Sequence, residues 1–221
     1  MMGSKKATGL EIVELPFGID VPEAVANMML PSPELVTYYR NLEKRILWLD
    51  SDVTVDWLEY ERLIIQWNAE DHHYEPELRR PIRLMFYSNG GDLEVNYSFI
   101  NLIKMSKTPI IGVNMGIANS AGCYIFMACH ERFAMPGAQF LIHQGSASGM
   151  NGTYSQIAAY MDDYNRKMET LHKYILEHTS IDADMLAEKL RGEWFVRAEE
   201  AVELGLCDKI VDDICDLYSW E

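Results

Sequence analysis

Short apolar runs alternate with helix-periodic stretches along the chain after residue 35 or so. Arg45-Ile-Leu-Trp-Leu49, Ile82-Arg-Leu-Met-Phe-Tyr87, Pro109-Ile-Ile-Gly-Val-Asn114 and Ala138-Gln-Phe-Leu-Ile142 are four such runs, the pattern of strands covered on both faces. Between them, Trp57, Tyr60, Ile64 and Trp67, then Leu93, Tyr97, Ile100 and Ile103, recur at spacings of three and four. That spacing predicts amphipathic helices, with a further helix over Glu34 to Arg45. Cys123-Tyr-Ile-Phe-Met-Ala-Cys129 is apolar throughout and predicts a buried helix. Strands and helices in this order predict an α/β fold on a parallel sheet.

Later in the chain Ile157, Met161, Tyr164, Met168, Leu171 and Ile175 step by four and three, the a/d seam of a long helix that packs on a partner helix or on its own core. Asp182 is placed to cap a short helix carrying Met185, Leu186 and Leu190. Gly192-Glu-Trp-Phe195 interrupts, Ala198 to Leu204 resumes a helix stopped by Gly205, and Lys209-Ile-Val211 predicts an edge strand. Residues 1–35 carry glycine and proline but no sustained period, which predicts a mobile arm; 144–153 predicts a loop, and 214–221 a solvated acidic tail.

Composition narrows the function. A chain of 221 residues, 48% hydrophobic, is long enough for one sizeable core. Its net charge of −15 and the absence of a basic stripe exclude a nucleic-acid backbone as partner. No long apolar run predicts a membrane span, and Met-Met-Gly-Ser-Lys-Lys lacks the apolar core of a secretory signal, so a cytoplasmic protein is expected. Cys123, Cys129, Cys207 and Cys215 show no C-x-x-C pairing and read as reduced packing residues. His72 and His73 adjoin each other without a third ligand, so no metal is expected.

Candidate chemistry gathers at the carboxyl ends of the strands, where α/β proteins place their sites. Gly116-Ile-Ala-Asn-Ser-Ala-Gly122 is a turn between a strand and the buried helix, and Ser120 there either caps the helix or presents its hydroxyl where backbone N–H groups favour an oxyanion. Ser88-Asn-Gly-Gly91 is a second turn whose glycines bring N–H groups close to a ligand. His143 ends the fourth strand. A serine needs such a base, and the base needs an acid; Asp162, Asp163, Glu193 and Asp208 are all candidates.

From about Tyr38 to Asp213 the chain resembles the ClpP family of caseinolytic serine peptidases. Gly116 to Gly122 is similar to that family's G-x-A-x-S-M-G nucleophile turn, and Leu141-Ile-His-Gln144 to its M-I-H-Q turn. Ser88-Asn-Gly-Gly91 resembles S-P-G-G, and Ala198 to Asp208 resembles S-A-x-E-A-x-x-Y-G-L-I-D. The resemblance implies a crotonase-like β-α-β spiral core over 36–213, with a protruding handle helix at about 154–178 through which two stacked rings of a homo-oligomer meet. It implies Ser120 as nucleophile, His143 as general base, the N–H groups of Gly91 and Ala121 as oxyanion hole, and Gly90, Gln144 and Gly145 as substrate-binding positions. Matching Trp194 to Ala198 to the family's R-D-x-F segment puts Glu193 at the acid position. The implied activity is endopeptidase cleavage of polypeptides, without a cofactor and with an ATP-dependent unfoldase as partner. Asn89 stands for the family's proline, Ala121 for its methionine, and Gln144-Gly-Ser-Ala-Ser-Gly149 departs from H-Q-P. The unusual first 35 residues would suit a phage or prophage member. A crotonase-type acyl-CoA enzyme would leave Ser120 and His143 unexplained, and an inactive ring subunit would fit the departures but not the intact serine and histidine.

Overall fold

The computed structural model describes residues 6–7, 10–14, 20–22, 32–146 and 151–217. They fall into two compact units, Met1–Lys44 and Arg45–Glu221. In the first, β1 (Lys6–Ala7), β2 (Leu10–Glu14) and β3 (Asp20–Pro22) pair in antiparallel order, where the sequence shows no period. Strands this short are specified by their partners rather than by alternation. The remainder of the arm expected over 1–35 lies outside the described residues, apart from the start of helix α1 (Pro33–Glu43) and its cap, Ser32.

The second unit is built on a seven-stranded sheet. Its strands are β4 (Ile46–Leu49), β5 (Ile82–Ser88), β6 (Ile110–Asn119), β7 (Glu131–Ala134), β8 (Gln139–Ile142), β9 (Trp194–Arg197) and β10 (Lys209–Ile210). The main path runs β10-β7-β6-β5-β4, all parallel. Helix α2 (Leu58–Glu70) lies between β4 and β5, and α3 (Leu93–Met105) between β5 and β6. Both are crossovers of the kind that parallel pairing requires. Ile64, Phe99 and Ile103 are fully buried, as is Trp57 in the turn leading into α2, so the helices contribute the stripes their spacing predicts, α3 being rotated to bury Val95 and Phe99 as well.

Strand β6 is longer than the predicted run, and the excess builds the site. Ile111 to Asn114 pair with β7, whereas Ile117 to Asn119 pair with β8. At the fork stands Asn114, fully buried; its amide donates to the Gln139 carbonyl at 2.9 Å and accepts from the Gly116 N–H at 3.0 Å. A Cβ on Gly116 would lie 2.9 Å from the Tyr87 ring, so glycine lets the strand pass close under that ring here. Residues 116–119, read from sequence as part of a turn, are therefore strand.

Two further strands were not predicted. β7 is four residues beginning Glu-Arg, too short and too polar to register as an apolar run. β9, read from sequence as an interruption, pairs antiparallel with β8 and buries Trp194 and Val196. The 25-residue helix α5 (Tyr154–His178) opens with a capping box between Thr153 and Gln156. Only its second half packs: Met168, Leu171, Tyr174 and Ile175 are buried, while Ile157 and Met161 are 37% and 39% exposed. Helix α6 (Ala183–Lys189) is capped by Asp182 as predicted, and α7 (Ala198–Glu203) follows β9 directly. Of the expected loop, 147–150 lie outside the described residues. So do 218–221 of the tail, but Leu217 is buried against Ile46, Met85 and Val211, whereas 212–215 before it are exposed.

Candidate active site

Ser120 joins β6 to helix α4 (Ala121–Ala128) with φ 52° and ψ −122°, a backbone conformation costly for any residue with a Cβ. Its neighbours hold it there. The Ser120 N–H donates to the Leu141 carbonyl at 2.8 Å, and its own carbonyl accepts from Cys123 N–H at 2.9 Å. Its hydroxyl does not cap the helix. Instead Ser120 Oγ lies 2.8 Å from His143 Nε2, the first residue past β8.

On the far side of the ring, His143 Nδ1 lies 3.2 Å from Glu193 Oε1. The β8–β9 register explains why this acid is present: Gln139 pairs with Arg197 and Ile142 with Trp194, so the next step of the ladder sets His143 opposite Glu193. A carboxylate only accepts, so the imidazole proton sits on Nδ1 and Nε2 is left to accept from the serine. The other acids are engaged elsewhere: Asp162 pairs with Arg166, Asp163 with Lys167, and Asp208 with Arg132. Glu193 is itself 55% exposed and His143 17%, so their pairing works partly in water and is weaker than a buried pair.

The glycine turn sits directly against this serine. A Cβ on Gly90 would stand 2.7 Å from both Asn119 O and Ser120 Cβ, and Gly90 has φ +96°. Gly91 forms an isolated parallel bridge with Val53, whose N–H donates to Gly90 O and whose carbonyl accepts from Asp92 N–H, each at 2.8 Å. In such a bridge the central residue's own N–H faces away from its partner. Ala121 is the first residue of α4, where the N–H has no acceptor within the helix. The two donors thus belong to chain segments packed against each other at Ser120, and both residues line one pocket of about 300 Å³ together with Ser120 and His143. Gly90 and Gly145 line it too. Gln144 does not; its carbonyl accepts from the Tyr164 hydroxyl at 2.7 Å.

Other groups here escaped the sequence reading. Tyr124 lines the pocket from α4, and burial raises its pKa. Tyr164, read only as part of an apolar seam, lines it from α5 and fixes the segment after His143. The signal for Tyr124 was a single hydroxyl in an otherwise apolar helix. Cys123, next to the site in sequence, is fully buried and its thiol is pushed up to about 12, so it stays protonated and offers no competing nucleophile.

Chemically, a serine hydroxyl bonded to a correctly tautomeric imidazole, beside two backbone donors at a strand end and a helix N-terminus, is an arrangement suited to acyl transfer. The chain belongs to the Clp protease family, whose model matches residues 34–213. The ATP-dependent Clp protease proteolytic subunit 2 of Treponema pallidum is 26% identical over 190 residues, 84% of this chain and 92% of the relative. Its namesake in Treponema denticola is 30% identical over 140 residues, 62% of this chain and 70% of the relative, and that in Borreliella burgdorferi 26% over 138 residues. Family and relatives support a ClpP-like peptidase, and the mostly parallel α/β sheet is consistent with a ClpP-like fold. Among the described residues no helix is long and apolar enough to cross a membrane.

Proposed function

We propose that this chain is a serine-type endopeptidase. Ser120 Oγ attacks the peptide carbonyl while His143 Nε2 takes its proton, and Glu193 steadies the imidazolium. The Gly91 and Ala121 N–H groups stabilise the tetrahedral oxyanion. His143 then gives the proton to the leaving amine, and a water, deprotonated by the same imidazole, releases the acyl group from Ser120. The observation that carries the reading is the 2.8 Å contact from Ser120 Oγ to His143 Nε2, made by a serine whose hydroxyl is not spent on capping its helix.

The substrate is a polypeptide, and Gly90, Gln144 and Gly145 are the positions along which its backbone runs. The exposed Tyr154, Ile157, Tyr160 and Met161 on the first half of α5 support an apolar contact with a second copy, in keeping with stacked rings. The relatives are named as ATP-dependent, which supports an ATP-driven unfoldase as partner. The chemistry itself uses no cofactor, and the cytoplasm is the compartment that fits.

Fluorophosphonate labelling and peptide hydrolysis by the parent and Ser120→Ala, beside a native mass measurement, test this. Label on Ser120 alone, a kcat lower by on the order of 10⁶-fold in the variant and a mass of many chains are expected. Equal hydrolysis by Ser120→Ala would overturn the mechanism, and a monomer would overturn the assembly.

A further inference from the structure

At the far end of α4 from Ser120, a second pocket of about 310 Å³ is lined by a different set of residues. Lys104, His130, Arg132 and His178 line it, and among the described residues no aspartate or glutamate does, in a chain of net charge −15. Helices α3, α4 and α5 all end here, and cations at helix C-termini ordinarily serve the carbonyls there. His178 does so, its Nδ1 donating to the Tyr174 carbonyl at 2.9 Å. Arg132 is engaged as well, with Asp208 and with the Gly205 carbonyl. Two groups remain. Lys104 is exposed, and its Nζ lies 3.9 Å from the centroid of the Tyr174 ring, a wall of this pocket, rather than on the carbonyls that end α3. Glu177, the acid that bears on its charge, is paired with Lys173. His130 is also exposed, and its Nδ1 accepts from the Ile110 N–H at 2.9 Å. The proton of the neutral ring is therefore on Nε2, on the edge turned away from Ile110, where it is a donor without a partner among the described residues.

We propose that this pocket binds an organic phosphate, a phosphoryl group carried on an apolar or aromatic body, with the Lys104 ammonium and the His130 Nε2–H as its donors. An ammonium and an imidazole N–H are single-point donors, and here they come from different segments, α3 and the connection from α4 to β7. Tetrahedral phosphoryl oxygens meet donors from two directions. A planar carboxylate is best held by the parallel fork of a guanidinium, and the Arg132 fork is already closed on Asp208. An inorganic phosphate would leave most of the pocket to water, whereas Met127 and Ala128 offer apolar wall to the body of an ester. The site is independent of the chemistry at Ser120.

The test is protection of Lys104 from acetylation by an N-hydroxysuccinimide ester, read by peptide mass on the full chain, with exposed Lys107 as internal reference. Phenyl phosphate at about 10 mM should slow acetylation of Lys104 about tenfold, as a ligand with a Kd of about 1 mM does, and leave Lys107 unchanged. Inorganic phosphate and benzoate should each protect markedly less. Equal slowing at Lys104 and Lys107, or protection by benzoate or inorganic phosphate as strong as by phenyl phosphate, overturns the proposal. His130→Asn keeps an acceptor for Ile110 and removes the Nε2–H, so phenyl phosphate should bind it at least tenfold more weakly. Lys104→Met, at an exposed position where folding does not depend on the charge, should lose the calorimetric heat of phenyl phosphate binding. Parent-like binding in either variant overturns the assignment of the donors.

Discussion

Glu193 is the residue on which the proposed mechanism leans least securely on chemistry and most on backbone register. Its carboxylate meets His143 at 3.2 Å, yet it is 55% exposed. Water competes for both partners, so the carboxylate orients the ring more than it stabilises a buried charge. A fully buried triad aspartate is worth about 10⁴-fold in kcat. Glu193→Gln should therefore cost only about 10²-fold, far less than loss of Ser120. Glu193→Asp should be close to Glu193→Gln, because one methylene fewer leaves the carboxylate short of Nδ1 when the backbone just before β9 is held by the strand that follows. Steady-state peptide hydrolysis by the two variants decides this. A full 10⁴-fold loss in Glu193→Gln would mean that the site closes over Glu193 when substrate binds.

At the scale of elements, the site depends on one strand changing partners. β6 leaves β7 and takes up β8 at Asn114, whose buried amide satisfies a carbonyl of β8 and an N–H of β6. Asn114→Ala leaves Gln139 O and Gly116 N–H without partners in the interior and opens a void, a cost of about 3 kcal/mol. Because β8 carries His143, urea unfolding should shift to lower midpoint while fluorophosphonate labelling of Ser120 slows; a lower midpoint with unchanged labelling would mean that β8 is positioned by β9 instead. The same strands show how far the sequence could be read. β4, β5 and β8 stood out because each is mostly apolar and largely covered, and the α2 and α3 stripes because helix burial repeats every turn. Ser120, His143 and the two glycines follow from that reading, since strand ends are local features. The second half of β6 did not, because Gly116 and Asn119 are turn residues by composition, and what makes this stretch strand is the pairing of Ile117–Asn119 with β8 and of Ala118 with β5. β9 did not either, and with it went the geometric reason for Glu193: the register that brings Glu193 to His143 joins segments 50 residues apart, which no local pattern records.

For the whole molecule, charge and buried titratable groups pull stability in opposite directions as pH falls. At pH 7 the net charge is −15, and self-repulsion eases toward the isoelectric point near 4.8, which alone would make the protein more stable in mild acid. Two histidines oppose this. His130 Nδ1 accepts from the Ile110 N–H at 2.9 Å, so protonation there breaks the bond, and desolvation holds its pKa below the ordinary 6.5. His172, whose Nε2 is buried without a partner among the described residues, is likewise held below 6.5 by desolvation. A histidine with a depressed folded pKa binds fewer protons folded than unfolded below 6.5, so its contribution is whole above 6.5 and lost as pH falls through the folded value. Asp71 adds a second step. It is 6% exposed, bonded by the Arg45 guanidinium through both carboxylate oxygens and by the Thr108 hydroxyl at 3.2 Å, and the Arg45 hydrogen bond holds its pKa below the usual 3.8. Its contribution is present above 3.8 and lost below it. Arg45 immediately precedes β4, Asp71 follows α2 and Thr108 precedes β6, so protonating Asp71 loosens the approaches to three elements at once. Urea midpoints followed from pH 8 to pH 3 should therefore stay flat to about 6.5, decline below it, and drop again below about 3.8. His130→Asn, whose side-chain oxygen can accept from Ile110 without titrating, should remove part of the first decline and none of the second. A midpoint that rises steadily from pH 8 to pH 5 would mean that relief of the net charge outweighs both histidines, and that the Ile110–His130 bond contributes little to the fold.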